Sequence, residues 1–137
     1  MYPHQAERLT AALEAAGVEA LVATSPANVA YVTGFTSLAR TVYGTPELAV
    51  FSPRGTALVV PAIDLAAVVA DSIDVDHVVP FGRFASSYAD PPGPATRRLR
   101  SLDDARAATP HTALGLALDA LGVRGSVAPT TFSRPGA

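Results

Sequence analysis

The chain has 137 residues, 49% of them hydrophobic and 16% charged, with a net charge of −2 from 12 acidic and 10 basic side chains. That is the size and makeup of one globular domain with a sizeable core, not of a disordered chain or of a polycation for nucleic acid or an anionic membrane. There is no Cys and no Lys, which excludes disulfides, thiolate metal sites, thiol nucleophiles, Schiff bases and a Lys-bearing phosphate loop.

In chain order, Pro3 opens a helix and Gly17 closes it, with Ala6, Leu9, Leu13 and Ala16 on one face. Glu19 to Thr24 reads as a strand; its apolar run Leu21-Val22-Ala23 suits a strand covered on both sides. Ser25-Pro26 is a helix start, a hydroxyl cap followed by proline, and this helix ends near Gly34. Residues 36 to 46 are punctuated by Gly44 and Pro46 and read as a loop. Glu47 to Phe51 and Thr56 to Val60 are two strands joined across Ser52-Pro53-Arg54-Gly55, a type I turn with a bulge.

Pro61 to about Asp71 is a helix with Leu65, Val68 and Val69 turned inward and Asp64 at its start, where the helix dipole favours a carboxylate. Asp76 to Phe81 is a short strand, and the Pro, Gly and Ser content of residues 82 to 95 predicts irregular chain. Arg97 to Ala107 is a helix with Ser101 and Asp104 at capping-box spacing. Thr109-Pro110 starts another helix, which ends at Gly122, and Ser126 to Ala128 is a last strand. Residues 129 to 137 read as a tail or the start of a linker. The order α-β-α-β-β-α-β-α-α-β predicts a single three-layer α/β domain: one mixed sheet of five to six strands, one antiparallel hairpin and helices on both faces.

Few residues offer chemistry. His4, His77 and His111 have no second ligand at helical metal spacing. In Asp74-Val75-Asp76-His77 a strand would turn the two carboxylates to one face and the imidazole to the other. No carboxylate pair stands out for acid–base work, and no Gly-x-Ser-x-Gly elbow exists. Gly122-Val123-Arg124-Gly125 follows a helix rather than a strand, so it reads as a helix cap and not a phosphate cradle. Arg97, Arg98, Arg100 and Arg106 lack the interleaved aromatics of a single-strand nucleic-acid platform and read as a solvated helix face. The segment after Gly34 is different: Phe35, Arg40 and Tyr43 place rigid or forked side chains on a connection at the sheet edge, where functional groups concentrate. No apolar run approaches the roughly 20 residues a bilayer requires, and Met1 to Gln5 lacks the charged and apolar regions of a signal peptide, so a cytoplasmic location is expected.

The first half resembles the N-terminal domain of the creatinase, prolidase and Xaa-Pro aminopeptidase superfamily. The resemblance rests on Arg8-Leu9 and Leu13 in the first helix, Gly17-Val18-Glu19-Ala20-Leu21-Val22, and Thr24-Ser25-Pro26-x-Asn28-Val29-x-Tyr31-Val32-Thr33-Gly34-Phe35. The hairpin at Ser52 to Gly55 and the Val60-Pro61-Ala62 strand exit continue it, covering roughly residues 7 to 80. It implies a ribonuclease H-like, non-catalytic domain spanning residues 1 to 137, with no cofactor of its own. The chemistry would belong to a C-terminal pita-bread domain absent from this chain, where two Asp, one His and two Glu hold two divalent metals (Mn, Co or Zn) for hydrolysis of a C–N bond. It further implies a homodimer in which this domain leans over a substrate entrance. Phe35, Arg40 and Tyr43 are the residues expected to gate it, with Arg40 able to clamp a substrate carboxylate. The alternatives are a stand-alone small-molecule-binding α/β module and a free-standing hydrolase with an unrecognised carboxylate site.

Overall fold

The computed structural model describes residues 1–130. The elements are α1 (Pro3–Ala16), β1 (Ala20–Ala23), α2 (Pro26–Thr33), α3 (Leu38–Tyr43), β2 (Leu48–Ser52), β3 (Gly55–Pro61), α4 (Leu65–Ala70), β4 (His77–Phe81), α5 (Pro94–Asp104), α6 (Pro110–Ala120) and β5 (Val127–Pro129), with a short 3₁₀ turn, Ala62–Asp64, ahead of α4. Five strands form one mixed sheet in the order β4-β3-β2-β1-β5. β2 runs antiparallel to β1 and β3, while β4 and β5 pair in parallel with β3 and β1.

Alternation along the strands divides the core in two. Leu21, Ala23, Ala49, Phe51, Leu58 and Val60 face α1, α2 and α4, with Leu99 and Leu102 of α5 packed at the margin. Ala20, Val50, Ala57 and Val59 face the opposite way, against Ala113, Ala117 and Leu121 around α6. The sheet is thus covered on both sides, and this is why β1 is buried at every position. α6 turns its small residues Ala113 and Ala117 to the sheet.

Local chemistry sets the boundaries. Ser25 caps α2 by accepting the Asn28 N–H at 3.2 Å, and Gly34 ends it at φ +77. The Asn28 amide then donates to the carbonyl and hydroxyl oxygens of Thr130, at 3.2 and 3.0 Å, which ties α2 to the chain leaving β5. At the other end of the sheet, Glu19 accepts the Arg124 N–H at 3.1 Å. Backbone N–H groups of Arg124 and Gly125 hold its carboxyl below the ordinary carboxylate range.

Four expectations need correction. Residues 36 to 46 are not all loop: Ser37 accepts the Arg40 N–H and Gly44 closes the turn at φ +67, so the two residues bracket a six-residue helix, α3. The hairpin carries no bulge, since β2 and β3 keep constant register down to the Ser52–Gly55 pair around a two-residue Pro53-Arg54 loop. α5 begins at Pro94, with Gly93 at its cap position, so Ser101 and Asp104 fall in its last turns and form no capping box. Pro129 ends β5 and the Thr130 N–H donates to Val22 at 3.0 Å, so both belong to the fold. The remainder of the expected tail, 131–137, lies outside the described residues.

Candidate functional site

The sheet's directions bring the C-terminal ends of β1, β3, β4 and β5 and the start of β2 to one edge. In open α/β sheets, ligand sites gather beyond the carboxyl ends of strands. Here that edge carries α2, α3 and the turn Ala62–Asp64.

α3 is presented outward. Leu38, Val42 and Tyr43 are 72%, 59% and 71% exposed, while Ala39 on its inner side is buried. Beside it lies a groove of about 290 Å³ between Tyr43, Thr45, Ile63, Phe81, Arg83 and Phe84. Its walls are apolar and aromatic with a guanidinium at the rim, the makeup of a small-ligand or side-chain cleft.

Where α3 starts, its cap residue meets a buried polar group of the turn Ala62–Asp64. The Ser37 hydroxyl donates to Asp64 Oδ2 at 2.5 Å, within the range of a charge-assisted bond, and accepts the Arg40 N–H at 3.0 Å. Ser37 and Asp64 are 3% and 4% exposed. Glu47 is 1% exposed, and neither of its carboxyl oxygens has a hydrogen-bond partner among the described residues. Loss of hydration pushes its pKa above the ordinary value, attraction from Arg40 pulls it back, and repulsion from Asp64 adds to the rise.

The sequence-predicted site residues separate. Arg40 is half-buried and Tyr43 is exposed at the groove. Phe35 is only 1% exposed and packs among Val29, Val32 and the sheet, so its ring serves the core. Ser37 and Glu47 were missed. Ser37 three residues before Arg40 is a cap signal, hidden by reading the segment as loop. Glu47 leads directly into an apolar strand, a weak sign of a buried acid.

Among the described residues no group of three His, Cys, Asp or Glu side chains gathers to hold a metal ion. Asp76 instead accepts the Thr56 N–H at 2.8 Å and Asp74 is 96% exposed. The described residues therefore do not fit a dinuclear metal centre. Nor is any of their helices long and apolar enough to cross a membrane.

Fold and site together define a three-layer α/β domain with a mixed five-stranded sheet and a short outward helix whose cap residue bonds a buried acid. The family model of the creatinase/prolidase N-terminal domain matches residues 5–124, and the chain belongs to that family. No curated protein matches it. Among solved structures, a Creatine_N superfamily domain of a dipeptidase from Streptococcus thermophilus is similar at 14% identity and TM-score 0.44, covering 76% of this chain and 88% of that one. The N-terminal creatinase/prolidase-like domain of a metallopeptidase from Corynebacterium diphtheriae aligns at 12% identity and TM-score 0.41, over 76% of this chain and 90% of its own. The prolidase of Pyrococcus horikoshii OT3 aligns at 9% identity and TM-score 0.37; 74% of this chain matches 30% of the prolidase.

Proposed function

We propose that this chain is the non-catalytic N-terminal domain of a Xaa-Pro dipeptidase or aminopeptidase-type metallopeptidase in the cytoplasm. Its partners are a C-terminal catalytic domain carrying two divalent ions (Mn, Co or Zn) and a second copy in a homodimer. Its work is contact and access: α3 leans over the substrate entrance, Arg40 reads a carboxylate, Tyr43 narrows the opening and Phe35 anchors the segment from the core. The observation that carries this reading is the outward apolar face of α3 beside an aromatic groove, in a chain of this family. A solvent-facing cluster of Leu, Val and Tyr is ordinary at an interface and unfavourable without one.

The test uses two preparations. The 137-residue chain, supplied with Mn²⁺, Co²⁺ or Zn²⁺, should release no proline from Ala-Pro. In the protein carrying this domain beside a metal-binding catalytic domain, Arg40→Ala and Tyr43→Ala should shift the ratio of kcat/KM between Xaa-Pro dipeptides and longer peptides. The loss of one charge-assisted hydrogen bond corresponds to roughly tenfold or more. Metal content should not change. Proline release by the isolated chain, or an unmoved ratio, would contradict the reading.

The alternative is a stand-alone small-molecule-binding module. It is favoured by a second cavity of about 370 Å³ at the opposite edge, lined among others by Thr10, Glu14, Glu19 and Arg54. A reading frame running on into a metal-ligand domain would decide for the first reading.

A further inference from the structure

Glu47 is an anomaly that the access role does not use. Carboxyl groups are almost never fully buried without partners, because each unmatched polar group forfeits its hydration. Here both oxygens are buried and unmatched. The side chain lies on the α2 and α4 side of the sheet, since it alternates with Leu48 and shares the face of Ala49 and Phe51.

Few charges surround it. β1, β3, α2 and α4 contain no Asp, Glu, Lys, Arg or His within their spans, and Tyr31 is the one titratable residue of α2. The charged groups that act on Glu47 are Arg40 from α3 and Asp64 from the turn before α4. Asp64 is occupied by the Ser37 hydroxyl. A cation and an anion from two elements therefore oppose each other, and the outcome falls to hydration. Water can reach the carboxyl when the packing around it opens. α3 is the short element whose charge acts on Glu47 through Arg40: six residues long, exposed on its outer face, and ended by Gly44 in the left-handed region.

We infer that Glu47 is a proton-controlled latch: α3 lies closed over the neutral carboxyl, and release of that proton to solvent opens α3 and hydrates the carboxylate. The upward displacement of its pKa agrees with a closed state that disfavours charge. If the reading of α3 as a gate holds, pH sets how often the gate is open. The latch itself is a property of the 137-residue chain and needs no substrate.

Amide hydrogen exchange, followed residue by residue by NMR between pH 5 and pH 8, tests it. The Gly44 N–H, bonded to the Arg40 carbonyl at 2.9 Å, reports on α3. After correction for base catalysis, its opening constant should rise about tenfold per pH unit between the ordinary carboxylate range and the closed-state pKa, then level off. In Glu47→Gln the constant should not vary with pH, and in Arg40→Gln opening should exceed that of the natural chain, because the ionised closed state loses its attraction. The ¹³C shift of the Glu47 carboxyl in the natural chain must titrate with the same midpoint as Gly44 opening, which keeps the test sharp if Glu47→Gln does not fold. A flat Gly44 profile, an identical slope in Glu47→Gln, or protection that increases with pH (Arg40 then pairs with the carboxylate and closes the helix) would each overturn the latch. None of these results bears on peptide selectivity, so the latch and the gate can fail separately.

Discussion

Replacing Ser37 with Ala removes two linked bonds with one oxygen atom. The hydroxyl accepts the Arg40 N–H at the start of α3 and donates to Asp64 Oδ2 at 2.5 Å. Loss of an N-cap hydroxyl costs about 1 kcal/mol. The larger loss is at Asp64, which is 4% exposed and cannot turn to water for a replacement donor. Leaving a buried acceptor unsatisfied costs about 1–3 kcal/mol. The expected total is about 2–4 kcal/mol, a large share of the stability of an ordinary domain. For 137 residues the middle of that range lowers Tm by about 10 °C. Urea unfolding followed by far-UV circular dichroism measures the free energy, and a thermal scan measures Tm. Ser37→Thr, which keeps a hydroxyl, should stay within about 1 kcal/mol of the natural chain. Combining Ser37→Ala with Asp64→Asn should cost at least 1 kcal/mol less than the two changes summed, because the partners form one unit (about 0.5–3 kcal/mol is usual for such coupling). A Ser37→Ala cost below about 0.5 kcal/mol, the level of an ordinary surface change, would refute the view that this hydroxyl joins α3 to the turn before α4.

The other expectations concern Glu47, Phe35 and Gly55. A carboxyl whose folded-state pKa is raised binds more protons folded than unfolded, so its contribution to stability falls as pH rises above the ordinary value near 4.5 and levels off above the folded-state value; the stability of Glu47→Gln relative to the natural chain should therefore be greater at pH 8 than at pH 4.5, and an equal difference at the two pH values would count against burial of the charge. Phe35→Ala should cost about 3–5 kcal/mol, as befits a ring 1% exposed, whereas Phe35→Leu should cost under about 1.5 kcal/mol and leave peptide selectivity in the parent enzyme unmoved; a selectivity change in Phe35→Leu would return that ring to the gate. Gly55 sits at φ +147, and a Cβ there would come within 2.5 Å of Asp76 Oδ2, so Gly55→Ala should cost about 1–3 kcal/mol by chemical unfolding, and a neutral result would mean that the hairpin relaxes freely.

Much of the architecture is legible because its signals are local. Ser25-Pro26 with Gly34, and Thr109-Pro110, are cap chemistry that works within one turn, and they bracket α2 and begin α6 as expected. α3 escaped because a six-residue helix gives too short a window for periodicity, and Ser37 and Gly44 resemble loop punctuation as much as caps. The start of α5 was misplaced for a related reason: Gly93-Pro94 looks like the end of an irregular segment, although proline also suits a first helical position. The buried polar cluster was illegible on other grounds. Ser37 and Asp64 are 27 positions apart, and only the parallel run of β1 and β3 brings α3 over the turn leaving β3. A single sequence carries no trace of such a meeting.

The most recognisable string of the chain, Asn28 to Phe35, turns out to be occupied with folding. Asn28 spends its amide on Thr130, and the Thr33 hydroxyl donates to Val29 at 2.8 Å while accepting the Phe35 N–H at 3.1 Å. Phe35 is packed in the core. Groups committed to bonds and packing of this kind cannot also meet a ligand without giving up stability. On the proposed access role, recognition falls to the next segment, where a half-buried guanidinium and an exposed phenol stand three positions apart: Arg40 and Tyr43. The string fixes where α2 ends, α2 fixes where α3 begins, and in the proposed latch α3 decides whether water reaches Glu47. Substitutions inside the string should therefore appear first as lost stability, and substitutions at Arg40 and Tyr43 as altered selectivity at nearly constant core packing. A change such as Thr33→Val that altered selectivity in the parent enzyme while leaving urea stability intact would break that division of labour.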